Sequence, residues 1–216
     1  MAKRAVITGG QGDLGEALHT QLKASGYEVL APGREELDVT DDASVDAFFK
    51  VCGEVDLLVC NAGKTEDGLL AKMSETVWDR VMEVNLKGAF RCARAVSKAM
   101  LKRRSGHVVF VSSYSAFHPP LGQANYSAAK AGLEGMCKSL AQEWGGCGVR
   151  VNLIVPGFME TRMTESLNES VLDAVKKKHV LFSFNSPDKV AQFVRFLDQT
   201  MTQTSGQVFN LDSRIL

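Results

Sequence analysis

The sequence predicts an α/β protein: a single doubly wound domain over residues 1–216, with a parallel sheet of about seven strands flanked by helices. Three observations carry this expectation. Short β-branched runs alternate with longer stretches whose apolar residues recur at helical spacing, as in strands joined by crossover helices. A glycine-rich turn connects the first such strand to the first such helix. The 216 residues are 45% hydrophobic, enough to bury one substantial core, with no internal repeat, low-complexity tract or interdomain linker to divide them.

Strands are expected at 4–8, 27–31, 37–39, 57–60, 107–112, 150–155 and 207–211, and helices at 14–25, 44–52, 76–102, 126–144 and 186–201. Ser186 suits the cap of the last helix, with Pro187 in its first turn. One connection is too short. Gly33-Arg34 is followed almost at once by Glu35-Glu36-Leu37-Asp38, whereas a parallel crossover needs a dozen or more residues. Either a crossover helix has been trimmed away or the strand at 37–39 is short and peripheral.

Composition narrows the function. Lys plus Arg and Asp plus Glu number 25 each, so no overall field attracts nucleic acid, and none is expected as a partner. No stretch approaches the ~18 apolar residues of a membrane helix, and Met1-Ala2-Lys3-Arg4 leads straight into a strand without signal-peptide architecture. The five cysteines, Cys52, Cys60, Cys92, Cys137 and Cys147, lack CxxC or metal-like spacing. They read as reduced packing thiols of a cytoplasmic protein with no metal site.

The chemistry-bearing residues fall at strand ends and on helices. The first strand ends in Thr8-Gly9-Gly10-Gln11-Gly12-Asp13-Leu14-Gly15, and a helix follows. Glycines permit a tight turn and close approach of a diphosphate, while a helix N-terminus offers free N–H groups and a positive dipole. Tyr126 and Lys130 stand four apart on a predicted helix, hence on one face. An unperturbed phenol titrates near ~10, and a neighbouring ammonium lowers that value toward the range of useful acid–base catalysis. Ser113 at a strand end can hydrogen-bond a developing oxyanion. Each residue alone has a plain structural reading: an exposed Tyr–Lys pair, a turn serine, an asparagine at position 85 satisfying a backbone group. Their ordered combination favours catalysis.

That order resembles the classical short-chain dehydrogenase/reductase family. The glycine-rich loop looks like its TGxxxGxG signature, and Asn61-Ala62-Gly63, Asn85, Ser113, Tyr126 through Lys130 and Pro156-Gly157 follow in sequence. Residues 123–161 are most similar to bacterial 3-oxoacyl-(acyl-carrier-protein) reductases. The resemblance implies Tyr126 as acid, Lys130 as its modulator and ribose ligand, Ser113 on the oxyanion, and Asn85 in a proton relay. It implies a nicotinamide cofactor held by Gly9, Gln11, Gly12, Asp13, Leu14, Gly15, Arg34, Asp38, Val39, Asn61, Ala62, Gly63, Tyr126, Lys130, Pro156, Gly157 and Met159. Arg34 stands where an acidic residue would grip the ribose 2′-OH of NAD, so NADP(H) is the expected cofactor and NAD(H) the alternative. A homo-oligomer, a tetramer as in the family, is expected. The region 76–102 carries Trp78, Val81, Met82, Val84, Leu86 and Phe90, more apolar positions than one buried stripe needs.

The sequence also departs from the pattern. The signature's middle glycine is Asp13, and its spacing to Glu16 matches a capping box, so its side chain is expected to turn toward the helix backbone. Arg104 falls where carrier-protein reductases have one docking arginine, but the second such position is Cys147. Asp212-Ser213-Arg214 replaces a glycine-rich ending, and the short chain implies a more open pocket, bordered by Phe117, His118, Leu121, Met159 and residues 163–184. The first functional reading is an NADP(H)-dependent oxidoreductase acting on a carbonyl or alcohol, such as a 3-oxoacyl thioester. The others are a dehydrogenase of a small alcohol or sugar, and a nucleotide-binding scaffold that has lost turnover.

Overall fold

The computed structural model describes residues 2–162, 164–165 and 168–216. Six parallel strands, β1 (Arg4–Ile7), β2 (Glu28–Leu30), β3 (Leu57–Cys60), β4 (Gly106–Val111), β5 (Val149–Val155) and β6 (Val208–Asn210), form one sheet in the order β2-β1-β3-β4-β5-β6. Between them run α1 (Asp13–Ala24), α2 (Asp42–Val51), α3 (Glu75–Met82), α4 (Gly88–Arg103), α5 (Ala124–Gly145), α6 (Glu169–Lys176) and α7 (Pro187–Gln199).

The two-residue period of the strands divides the core into two layers. Val6, Leu58, Val108, Phe110, Val151 and Leu153 face α2, α4 and α5. Ala5, Ile7, Leu57, Val59, Val109 and Ile154 face α1 and α7. Strands covered on both faces need apolar residues at every position, which is why they read as continuous hydrophobic runs. Sheet order reverses between β1 and β3, and a crevice opens beyond the carboxyl ends of the strands at such a switch point. Among the described residues no helix is long and apolar enough to cross a membrane.

Among the described residues the expected strand at 37–39 is not formed. Residues 34–36 form a turn, and Leu37 and Val39 are buried without pairing to the sheet. Val39 lies so close to α4 that a Cβ at Gly88 would come within 2.7 Å of its Cγ2, and its carbonyl accepts a hydrogen bond from Arg91 at 3.2 Å. Side-chain packing and a guanidinium satisfy this segment in place of a ladder. The trimmed-crossover alternative therefore holds, and α2 alone carries the chain from β2 to β3.

The helix expected over 76–102 is three pieces. Glu83–Lys87 forms a π-helical turn between α3 and α4. Asn85 Nδ2 donates to the Val81 carbonyl at 2.9 Å and the Lys64 carbonyl at 2.7 Å, so a side chain competes for the regular helical acceptor. Such single-turn bulges recur at functional sites. The exposed α6 is capped by Asn168 on the Val171 N–H at 3.0 Å and ends at Lys176, where the lysine run 176–178 reads as a solvated helix face.

Candidate active site

The carboxyl ends of β1 and β3 are joined by their own side chains. Thr8 Oγ1 accepts from the N–H groups of Asn61 and Ala62, each at 3.0 Å, and Asn61 Nδ2 donates to the carbonyls of Thr8 and Gly9 at 3.1 and 3.2 Å. This close approach requires glycine at position 9, which adopts φ +67° and where a Cβ would sit 2.9 Å from Ala62 Cα. Gly12 precedes α1 in extended conformation, and no side chain caps the helix. Its first-turn N–H groups therefore keep donors for an incoming anion.

The second wall is built by α5 and the end of β4. Lys130 Nζ donates to the Val111 carbonyl at 2.8 Å, and Ser112 Oγ donates to the Lys130 carbonyl at 3.0 Å. Lys130 Nζ also lies 5.7 Å from the centroid of the Tyr126 ring, one turn earlier on the helix. Ser113 interacts with the Tyr126 hydroxyl and accepts from the Ser115 N–H at 3.2 Å. Asn85 sits behind, buried, its Oδ1 accepting from the Lys64 N–H at 3.2 Å. A side chain at Gly63 would come within 3.1 Å of Asn85 Oδ1 and 3.5 Å of Lys130 Nζ, so glycine keeps that space clear.

Burial controls the proton affinities here. It brings the Lys130 ammonium down to about 8, against a small opposing effect of the Cys60 sulfur. It raises the Tyr126 phenol, with Asp67 adding to the rise and the Ser113 hydrogen bond opposing it. The expectation that Lys130 lowers the phenol is thus not met in this state. The ammonium is held on the Val111 carbonyl, and desolvation keeps the phenol neutral, able to donate a proton.

Between the walls lies a cavity of about 720 Å³, within the range of roughly 300–1,000 Å³ typical of small-molecule sites. Its lining brings together Gly9, Gln11, Gly12, Asp13, Leu14, Arg34, Asn61, Ala62, Gly63, Ser113, Tyr126, Lys130, Pro156, Gly157 and Met159 from the sequence expectations. Gly15, Asp38, Val39 and Asn85 do not line it. Gly15 serves packing, since a Cβ there would meet the Gly9 carbonyl at 2.5 Å. Asp38 accepts from Arg34 Nε at 3.1 Å and from Thr40, and Val39 lies in the core.

Asp13 does not turn back to cap the helix. Its carboxylate accepts from the backbone N–H and Nε of Arg162 at 2.9 and 3.0 Å. Sequence reasoning missed Arg162, along with Thr65, Asp67 and Gln123, which also line the cavity. Nothing local marked them. Gln123 Nε2 bonds Asp67 at 2.9 Å and Asn125 Nδ2 bonds the Glu66 carbonyl at 3.0 Å, long-range contacts that carry the 64–68 loop to the mouth. Of the residues expected to border the pocket, Met159 and, from the 163–184 segment, Thr164 do. Phe117, His118 and Leu121 are not in the lining, and positions 163, 166 and 167 lie outside the described residues.

The chain terminus is anchored at the same end. Asp212 accepts from the Phe158 N–H at 3.1 Å and pairs with His179 at 2.8 Å and with Arg214. The Arg214 guanidinium lies 3.8 Å over the Tyr114 ring. Gly157, at φ +87°, is required beneath it, because a Cβ would meet Asp212 Cβ at 2.8 Å. The residues that replace the glycine-rich ending fill this corner.

A glycine-rich turn at the switch point, beside a buried Lys130 and half-buried Tyr126 and Ser113, defines an α/β oxidoreductase with a nucleotide-type cleft. Comparison with known proteins agrees. The family model described as short chain dehydrogenase matches residues 34–172. The chain is 37% identical to the 3-oxoacyl-(acyl-carrier-protein) reductase FabG of Thermotoga maritima, over 99% of this chain and 98% of that relative. It is 36% identical to the FabG of Escherichia coli K12, over 90% and 89%. The crystal structure of gox2181 superposes with a TM-score of 0.92 at 30% identity, covering 98% of this chain and 95% of that one. This chain belongs to the short-chain dehydrogenase/reductase family.

Proposed function

We propose that the protein is an NADP(H)-dependent reductase of carbonyl compounds, with 3-oxoacyl thioesters as the substrate class. The observation that carries this reading is the convergence of Ser113, Tyr126 and Lys130 on the same cavity as the glycine-rich turn. The cavity fits a dinucleotide: glycines 9 and 12 admit close approach, α1 presents an uncapped N-terminus, and Arg34 lines the same cavity. When bound, the nicotinamide supplies the hydride. Ser113 hydrogen-bonds the substrate oxygen, and the neutral Tyr126 phenol delivers its proton as charge develops there. The Lys130 ammonium stabilises the phenolate left behind, and Asn85 holds the buried polar path behind it. The thioester assignment is supported by the FabG relatives.

A second substrate reading, a small free alcohol or sugar, is favoured by the carrier-docking positions. Arg104 is tied to the Gly146 carbonyl at 2.6 Å, and Cys147 supplies no cation. A panel of 3-oxoacyl thioesters and free ketones, assayed with NADPH and NADH, tests the function. Turnover of thioesters supports it, turnover of free ketones or sugars alone selects the second reading, and binding without any turnover would make the protein a scaffold.

Arg34 decides the cofactor. Its side chain is 82% exposed, and among the described residues its bond to Asp38 uses Nε, which leaves the forked Nη groups for a 2′-phosphate. Glu36, which could have gripped a ribose hydroxyl, instead accepts from the Gly33 N–H at 3.0 Å. NADPH is expected to bind at least ~10-fold tighter than NADH, a difference of about 1.4 kcal/mol. Arg34→Ala should remove that preference by weakening NADPH alone. Equal dissociation constants in the wild type, or equal losses for both cofactors in the variant, would exclude Arg34 from the site.

The five cysteines are free thiols, four of them buried, in keeping with a cytoplasmic protein. The protein is also expected to self-associate, as a tetramer. Phe90 on α4 stays 44% exposed while Val81 is buried and Trp78, Met82, Val84 and Leu86 are half-buried. A monomeric mass by light scattering at micromolar concentration would refute this.

A further inference from the structure

We infer that Arg162 is a positioning residue that makes an acidic glycine-rich turn compatible with a cofactor diphosphate, by neutralising Asp13 and Glu16 and holding the turn's backbone. The inference rests on the cofactor reading above. Asp13 opens α1 on the rim of the cavity, and Glu16 follows in the same turn. Two carboxylates there satisfy the positive end of the helix dipole, the feature that otherwise attracts an incoming anion. Left alone, they would oppose a diphosphate by like charge.

Arg162 answers both from a segment 149 residues away, just beyond β5. Its backbone N–H and Nε reach the two Asp13 carboxylate oxygens at 2.9 and 3.0 Å. Its Nη2 donates to Glu16 Oε1 at 3.0 Å and to the Gln11 carbonyl at 2.7 Å. One planar guanidinium therefore offsets the acidic first turn and ties the loop between β1 and α1 to the opposite rim. The Arg162 side chain is 55% exposed, and an ion pair so open to water contributes little to folding. Its effect belongs to the binding of an anion placed beside it. Asp13 and Arg162 thus form a unit: each is unfavourable or superfluous without the other.

A double-mutant cycle read by NADPH dissociation constants, from titration calorimetry without substrate, tests this. Arg162→Ala in the wild type is expected to weaken NADPH ~10-fold or more, and the loss should grow as salt is lowered. In a background carrying Asp13→Gly and Glu16→Gln the same replacement should cost less than ~3-fold, because both charges it offsets are gone. Arg162→Lys, which keeps the charge, should recover most of the affinity lost by Arg162→Ala. Equal losses in the two backgrounds, no loss on Arg162→Ala, or failure of lysine to recover affinity would overturn the inference. A wild type that binds neither NADPH nor NADH would instead overturn the cofactor reading, and the inference with it.

Discussion

Replacing Tyr126 by phenylalanine is expected to lower turnover by at least ~10² while leaving NADPH affinity nearly unchanged. The exchange removes one oxygen and preserves the ring, which lies 5.7 Å from Lys130 Nζ. The cleft and its cofactor contacts therefore persist. What disappears is the proton donor that burial holds in its neutral form. The loss should appear in kcat and kcat/KM together, since the interaction is made only as charge develops on the substrate oxygen. A variant retaining more than about half of wild-type turnover, with the chemical step shown to be rate-limiting, would remove Tyr126 from the acid role.

The largest expected effect on stability lies at the other end of the sheet. Asp198 on α7 is 2% exposed and gathers His107 Nδ1 at 3.0 Å, Arg150 Nη2 at 2.9 Å, Lys3 Nζ at 3.2 Å and the Tyr27 hydroxyl. Asn152 Nδ2 bonds the other His107 nitrogen at 3.1 Å, completing a buried polar chain across β4 and β5. Asp198→Ala leaves these donors facing a void and is expected to cost about 3–5 kcal/mol in urea unfolding, the range for deleting one partner of a buried ion pair. A loss under about 1 kcal/mol would show that the neighbours rearrange freely.

The same cluster sets an acid limit. Burial alone would raise the Asp198 carboxyl, but the His107 and Tyr27 hydrogen bonds and the Lys3 charge outweigh it and hold it well below its usual range. A depressed carboxylate stabilises fully above its unfolded value near ~3.9, and that contribution is lost as pH falls below it. Burial also holds the His107 imidazole below its ordinary value, so folding disfavours its proton in acid as well. The gap in stability between wild type and Asp198→Asn should therefore narrow as pH falls from about 5 to 2. A constant gap over that range would mean that the charge on Asp198 contributes nothing.

The elements legible in the sequence were those that local periodicity specifies. Strands buried on both faces show as short β-branched runs, and α1, α5 and α7 show as apolar residues three and four apart. The chemistry was legible where it depends on spacing along one element: Tyr126 and Lys130 lie one turn apart on α5 because any helix places i and i+4 together. Strand ends were equally readable, and the topology then gathers Gly9, Asn61, Ser113 and Pro156 at one edge.

Decisions between distant segments were not legible. Leu37 and Val39 have a strand-like pattern, but the same alternation is met by burial in the core, Val39 against α4, so among the described residues the sheet has six strands. Asp13 has the spacing of a cap, yet a guanidinium from beyond β5 binds it more fully than a backbone N–H could. The Tyr126 proton affinity follows chiefly from burial, a property of the assembled core that spacing along α5 does not reveal. By itself the sequence determined the layer order, the glycine-rich turn and the Ser–Tyr–Lys spacing, since all follow from local backbone geometry. Only the tertiary structure decided the partners of Asp13, Asp198 and, toward His179, Asp212, because a charge pairs with whatever the fold brings within ~4 Å, however far along the chain.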